Sequence, residues 1–451
     1  MPLDRRGNPG RIGIDVNVSE AHVSIIVIGR AFVIGVLALP VWAQESPDGG
    51  PSDDYTFCRR VTLDLAGRLP TPDEIRALVR SKDRQKKVDE LLASPEAALY
   101  HADLWMQWLL DHEFENRDFY RIKVGELHAW LRSGFDRPMG EFVRALVLRE
   151  GPAGNFARKH LDGVGPPVKL ALLTARLFLG RDLRCAQCHD HPSEGLTQEE
   201  FWGFVAFFGR GTGGLRDHLG EIRSVPRYFD GREGGDRPLE SLAGFLDWRP
   251  ALSERYWKLL TGHGGHPQEI ESAESPRDLL RAIVARPEYR ARKGPFKLMN
   301  TVQFMNALTD LFDLREAHRQ MAAKAVKSEK VPEAFKDEEV IRLFFHKWAK
   351  EMILPKGQSP EEVQAHGTVR LSLKLMNNAK VSAYFSVAWG TLRHVLGKKV
   401  RAADRVEELF LTVIGRPPSK AERELFAAKD DAAFEDVFWA LVNSAEFLFV
   451  S

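Results

Sequence analysis

Apolar residues recur at helical spacing along most of the chain. Ile75, Leu78 and Val79 form one such stripe, and residues 296–313 carry a longer one. Helix-start signals precede the stripes. Thr71–Glu74, for example, supplies an N-cap threonine, a proline in the first turn and an acid at the third position. The pattern predicts a mainly α, multi-helix protein.

Breaks in this pattern predict the domain organisation. We expect two helical domains that are joined by a Gly-rich segment with one short hairpin around Ile222–Tyr228. The letters of Gly209–Gly214 match G-x-G-x-x-G, but a helical segment precedes them and no βαβ unit follows, so they do not indicate a dinucleotide site. The predicted division is a signal peptide at 1–43, a linker at 44–54, helical domains at 55–208 and 239–451, and the joint at 209–238.

The N-terminal segment resembles an export signal. Arg30 precedes the apolar run Ala31–Ala43, and Val41 and Ala43 satisfy the small-residue rule for cleavage before Gln44. The alternative is an uncleaved membrane anchor, which Arg30 would interrupt. We expect an exported protein of the periplasm or cell envelope, in contact with a membrane only if the signal stays uncleaved.

Composition narrows the function classes. Of 451 residues, 44% are hydrophobic and 28% are charged, which is ordinary for globular proteins. Lys and Arg total 64 against 63 Asp and Glu, so no basic field indicates nucleic acid. The chain has no G-x-S-x-G or H-E-x-x-H motif, and no phosphate loop in structural context. No reaction is indicated, and whether the protein is an enzyme stays open.

Candidate chemistry is concentrated in Cys185–His189. This segment reads C-x-x-C-H, the attachment signature of a c-type haem. Cys185 and Cys188 would form thioethers with the haem vinyl groups, and His189 would be the proximal iron ligand. Because c-type haem is attached outside the cytoplasm in bacteria, the predicted export signal agrees with this interpretation.

Other interpretations of the two cysteines stay open. They could bind zinc together with a histidine such as His191, act as a redox dithiol, or only pack. No second cysteine pair completes a zinc site, and no βαβ pattern supports a dithiol enzyme. The third cysteine, Cys58, is expected to be a small buried apolar residue.

A distal iron ligand is less evident from the sequence. His191 follows His189 too closely to reach the opposite face of a haem. The remaining candidates are Met299, Met305, His160, His263 and His266. The aromatic helix expected at Phe201–Phe208 would either line a haem pocket or simply form core.

Two distant segments echo each other. Gly67–Glu74 and Gly415–Glu422 both pair a Gly-Arg turn containing proline with a helix start. We interpret them as a reused helical hairpin rather than a solenoid, because they lie far apart in the chain.

The segments Arg59–Pro72 and Leu177–Pro192 resemble the planctomycete cytochrome-c-associated domain of unknown function, over about residues 55–210. Residues 405–450 resemble the end of its usual partner, the planctomycete cytochrome C domain, here shortened and divergent. The resemblance implies export, a helical fold and a link to cytochromes, but no known reaction. We therefore expect an exported c-type haem protein that transfers electrons to a redox partner the sequence does not name. The alternative is a non-catalytic interaction or scaffold protein whose cysteine loop binds zinc or is purely structural.

Overall fold

The computed structural model describes most of the chain between residues 52 and 316, its C-terminal part, and a few N-terminal strands. The described residues are 13–18, 21–28, 31–33, 52–110, 122–160, 165–209, 215–216, 220–291, 297–316, 319–320, 323, 390–398, 401–426 and 430–450.

Helices dominate these residues, which confirms the predicted mainly α fold. In chain order they are α1 (Asp54–Ala66), α2 (Pro72–Ser81), α3 (Arg84–Ala93), α4 (Pro95–Leu109), α5 (Val124–Ser133), α6 (Met139–Leu148), α7 (Ala157–His160), α8 (Pro166–Phe178), α9 (Gln198–Ala206), α10 (Pro238–Phe245), α11 (Arg249–Thr261), α12 (Pro276–Ala285), α13 (Pro287–Arg290), α14 (Thr301–Phe312), α15 (Gly390–Leu396), α16 (Ala402–Val413), α17 (Lys420–Leu425), α18 (Asp431–Val442) and α19 (Ala445–Leu448). Within the described ranges, no helix is long and apolar enough to cross a membrane.

The strands are short or confined to the N-terminal segment. They are β1 (Gly13–Val18), β2 (Ala21–Ile28), β3 (Ala31–Val33), β4 (Leu215–Arg216), β5 (Glu221–Ile222), β6 (Lys297–Leu298) and β7 (Phe449–Val450). The first three form an antiparallel sheet in the order β1-β2-β3, and the others pair as β4-β5 and β6-β7. The sequence pattern did not predict the sheet β1-β2-β3, which lies where we expected the signal peptide.

Capping chemistry explains where several helices begin. Thr71 and Thr197 each form the predicted capping box, with Glu74 and Glu200 as the reciprocal acids. Ser94 and Ser275 cap the helices whose first residues are Pro95 and Pro276. These side chains satisfy backbone N–H groups that have no partner inside the helix.

The described residues divide into two compact units, each built from separate parts of the chain. The first unit contains the described residues up to Leu91, from Pro287 to 316, and from Gly390 onward. The second unit contains those of Leu92–Arg286 and the few between 319 and 323. The described residues of the predicted Gly-rich joint, 209, 215–216 and 220–238, therefore lie inside the second unit. Its hairpin also differs slightly from expectation, because the paired strands are β4 and β5 and only an isolated bridge, Arg227 with Glu233, follows.

The first unit has a buried polar cluster in its core. The carboxylate of Asp64, on α1, accepts hydrogen bonds from the Tyr289 hydroxyl at 3.0 Å and from Lys297 Nζ. Gln303 Nε2 donates to the carbonyl of Leu63 at 3.0 Å. Burial lowers the pKa of Lys297, and the Asp64 carboxylate opposes that shift. Buried charges of this kind are tolerated only when they are paired.

The core of the second unit is aromatic. Trp105 Nε1 donates to the Tyr256 hydroxyl at 2.9 Å, and the Trp105 ring meets Phe142 edge-on at 4.8 Å between centroids. His101 lies among these rings, and burial lowers its pKa to about 3, so its imidazole is neutral at ordinary pH. This aromatic core belongs to the unit that carries the C-x-x-C-H segment.

Candidate functional site

The C-x-x-C-H segment lies in the connection between α8 and α9. Gly180 follows the end of α8 with φ +65°, a conformation that glycine adopts without strain, and the chain turns there. A short 3-10 helix, Arg184–Gln187, then carries the first cysteine, and the Cys188 N–H donates to the Cys185 carbonyl at 3.4 Å. The two cysteines are therefore held about one turn apart on a local helical scaffold.

Burial alternates within this turn. Leu183 and Ala186 are buried, at 1% and 0% exposure, and fix the turn to the protein. Cys185 and Cys188 are both exposed free thiols. His189 is exposed as well. The turn therefore presents two sulfur atoms and an imidazole outward, where a large planar group could reach them.

The hydrogen bonding of His189 fixes which of its nitrogen atoms carries the proton. Nδ1 lies 2.7 Å from the carbonyl oxygen of Asp190. A carbonyl oxygen only accepts, so Nδ1 must carry the hydrogen and donate it. Nε2 of the neutral ring is then left with a free lone pair, the form in which histidine binds metal ions.

His191 has the opposite arrangement. Its Nδ1 accepts from the backbone N–H groups of Ser193 and Glu194, at 3.3 and 3.2 Å. In the neutral ring the proton is then on Nε2, which cannot serve as a ligand without losing it. The structure therefore distinguishes the two histidines, and only His189 presents a ready ligand atom.

Two side chains that the sequence did not single out tie the turn to α9. Asp190 Oδ1 accepts from the Gln198 N–H at 2.8 Å, and Gln198 Nε2 donates to the Gln187 carbonyl at 3.0 Å. Gln198 is the first residue of α9, after its cap Thr197. An acid beside a helix N-terminus is a recognisable signal, but the sequence does not show that this acid comes from the turn.

The far end of the loop is held by an arginine. Arg181 Nε donates to Glu194 Oε2 at 2.8 Å, and its guanidinium lies 5.0 Å from the centre of the Phe229 ring. Phe229 stacks on Phe204 of α9, with ring centroids 4.8 Å apart. The loop from 189 to 197 is therefore held at Asp190 by α9 and at Glu194 by Arg181.

The aromatic side chains of α9 belong to the core. Phe201, Phe204 and Phe207 are at most 1% exposed. Phe207 also meets Phe245 edge-on, with ring centroids 6.2 Å apart. Of the two interpretations of this helix, the structure favours the core interpretation, because the rings already pack against protein.

The distal-ligand candidates differ in the state of their ligand atoms. Nε2 of His160 donates to the Leu109 carbonyl at 3.0 Å. Both nitrogen atoms of His266 contact carboxylates, at 2.9 Å from Glu254 and 2.8 Å from Glu271. His263 is exposed and uses Nδ1 on the Thr261 carbonyl, so its Nε2 has a free lone pair.

The two methionine candidates are core residues. Met299 and Met305 are each 1% exposed, and both lie in the first unit rather than in the unit that carries the turn. Cys58 is also buried, as predicted, and burial raises the pKa of its thiol to about 11. Among the residues that the structure describes, no three His, Cys, Asp or Glu side chains are grouped so as to hold a metal ion.

The fold and the turn define a mainly α-helical protein with a surface-exposed C-x-x-C-H segment. Residues 43–212 match the PSCyt2 family model, which is described as a protein of unknown function (DUF1549). The match spans the whole turn and the helices on both sides of it. No curated protein and no solved structure matches the chain. The likeness of residues 405–450 to a cytochrome C domain stays a prediction.

Proposed function

We propose that this chain is an exported c-type haem protein whose role is electron transfer. Cys185 and Cys188 would carry the porphyrin as thioethers, and His189 Nε2 would bind the iron. A bound haem supplies a one-electron couple. The chain would contribute the attachment points, one axial ligand and the surrounding hydrogen bonds that set the potential.

The hydrogen bonding of His189 is the observation that supports this proposal most strongly. Its Nδ1 is engaged by the Asp190 carbonyl, and its Nε2 is left for a metal, which is the arrangement typical of metal-binding histidines. The neighbouring thiols are exposed and can be reached by a haem-attachment machinery. Attachment there requires no opening of the core.

The distal ligand is proposed from the hydrogen bonding of the candidate imidazoles. His263 is the preferred candidate, because its Nε2 lone pair is free whereas the ring nitrogen atoms of His266 are committed to carboxylates. A second histidine would give a lower potential than a methionine. Replacing His263 by alanine in a haem-loaded protein would convert a low-spin optical spectrum to a high-spin one if His263 is the sixth ligand.

Haem attachment is tested by expressing the chain from residue 44 in a periplasm with haem-maturation machinery. After denaturation, the pyridine haemochrome spectrum reports covalent haem. We expect about one haem per chain, its complete loss in C185A/C188A, and its retention in the matched control C58A. A colourless wild-type protein would refute the proposal, and stoichiometric zinc in that protein would support the alternative scaffold function.

Export and the redox role need separate measurements. Fusion of residues 1–43 to a reporter that is active only outside the cytoplasm tests the signal peptide. Reversible one-electron reduction of the loaded protein, followed optically, tests electron transfer. A loaded protein that cannot be cycled between its ferric and ferrous forms would contradict that role.

A further inference from the structure

Asp190 is one of the residues that tie the C-x-x-C-H turn to α9. Its backbone carbonyl accepts the His189 Nδ1 hydrogen at 2.7 Å, while its carboxylate accepts the Gln198 N–H at 2.8 Å. One residue thus contacts both the imidazole and the first backbone amide of α9. The orientation of its carbonyl depends on where its own side chain is held.

Gln198, whose N–H donates to Asp190, lies at a capped helix start. The capping box of Thr197 and Glu200 fixes the start of α9, and the helix behind it is buried through Phe201 and Phe204. Gln198 adds a second tie, from its side-chain amide to the Gln187 carbonyl on the other side of the cysteines. The turn is therefore braced from both sides of Cys188 and His189.

We propose that Asp190 is a positioning residue that fixes the tautomer and ring orientation of His189 through its carbonyl. The redox consequence of this inference rests on the proposed function. A hydrogen bond that the Nδ1–H group donates makes the imidazole a more basic ligand for iron. A more basic ligand stabilises the ferric form and lowers the potential. Loss of the hydrogen bond between the Asp190 carboxylate and Gln198 would free the Asp190 carbonyl and raise the reduction potential.

The first test uses the protein without haem, so that it stands apart from the proposed function. In a protein labelled with ¹⁵N at histidine, the ring nitrogen shifts at alkaline pH identify the tautomer of each neutral imidazole. We expect His189 to be almost entirely in the Nδ1–H form in the wild type. D190A should shift it toward the Nε2–H form, and D190N, whose amide oxygen can still accept from Gln198, should restore it.

The matched control is E199A. Glu199 is an exposed acid in the first turn of the same helix, so its removal changes the same charge without touching the turn. E199A should leave the His189 tautomer as in the wild type. The proposal is overturned if D190A keeps the wild-type tautomer, or if E199A changes it as much as D190A does.

The second test uses the haem-loaded protein. D190A should raise the reduction potential further than E199A does. The potential of D190N should lie close to that of E199A, because D190N and E199A each remove only a negative charge. Equal potentials for D190A and E199A would overturn the redox part. A wild type that never takes up haem would refute the proposed function, and the tautomer result would still decide the role of Asp190.

Discussion

The guanidinium of Arg68 and the carboxylate of Glu74 form a two-point contact across the start of α2, at 2.8 and 3.0 Å. The same carboxylate accepts the Thr71 N–H at 2.8 Å, and Arg68 also donates to the Leu69 carbonyl at 3.0 Å. Burial would raise the pKa of Glu74, but its contacts with Arg68, Lys87 and Thr71 outweigh this and hold the pKa far below its usual range.

The similar C-terminal segment, Gly415–Glu422, has the same arrangement. Arg416 contacts both oxygen atoms of Glu422 at 2.8 Å, Glu422 accepts the Ser419 N–H at 2.7 Å, and Arg416 donates to the Pro417 carbonyl at 3.1 Å. The repeat that the sequence predicted is therefore a repeat of hydrogen bonds as well as of letters. The two segments differ in their third charged residue. In the C-terminal segment the arginine, Arg416, also binds Glu446, whereas in the N-terminal segment the glutamate, Glu74, also binds Lys87.

R416K is expected to destabilise the protein more than R68K. Lysine cannot form the two-point contact, and in R416K two carboxylates lose it. In R68K the carboxylate of Glu74 keeps its ion pair with Lys87. We expect R416K to cost about 2–3 kcal/mol and R68K about 1 kcal/mol in urea unfolding. The control R423K alters an exposed pair with Glu407 and should cost less than about 0.5 kcal/mol. Equal losses for R416K and R68K would contradict this account.

Gly415→Ala is expected to destabilise the chain for two reasons. The residue has φ +82°, and an added Cβ would lie 3.1 Å from Cβ of Arg59. Arg59 cannot move away easily, since it is buried and donates to the carbonyls of Val413 and Phe447. We expect a loss of about 2–4 kcal/mol in chemical denaturation, from backbone strain plus the clash.

Gly231→Ala is the matched control for the clash. Gly231 has φ +89°, but nothing lies within 4 Å of its added Cβ. Only backbone strain should then lower the free energy of unfolding, by about 1 kcal/mol. A G231A variant as unstable as G415A would show that contact with Arg59 contributes nothing.

The three cysteines of the haem-free protein should differ sharply in reactivity. Cys185 and Cys188 are exposed, whereas Cys58 is buried with its pKa raised to about 11, so little thiolate forms there. Mass spectrometry after a short iodoacetamide pulse at pH 8 should show two modified sites, and a third only in denaturant. C58A provides the control and should also accept two labels. Rapid labelling of Cys58 in the native protein would disprove its placement in the core.

The sequence predicted the features that depend on local chemistry. Thr71 and Thr197 were recognisable as caps because a cap needs only the right residue types three positions apart. The tautomers of His189 and His191 were not predictable, since they depend on which backbone groups the loop brings to each ring. The hydrogen bonds of Asp190 were not predictable for the same reason. Non-adjacent pairings such as β6 with β7 join distant parts of the chain and leave no short-range signal.

His266 should make stability depend on pH. Burial would lower its pKa, but hydrogen bonds to the carboxylates of Glu271 and Glu254 outweigh this and raise it. Its stabilisation is then fully present below the pKa of the unfolded state, about 6.5, and is lost as pH rises through the higher folded value. Each unit of elevation corresponds to about 1.4 kcal/mol.

Other cationic side chains lie beside the two glutamates that contact His266. Lys258 Nζ lies 3.3 Å from Glu254 Oε1, and an Arg249 nitrogen donates to the Glu271 carbonyl at 3.3 Å. H266Q should lose the fall in unfolding free energy that begins above about pH 6.5, without losing the fold. In the haem-free protein H263Q is the matched control, because His263 bonds a backbone carbonyl rather than a carboxylate, and it should keep the wild-type slope. A slope that persists in H266Q would assign the pH dependence to another group.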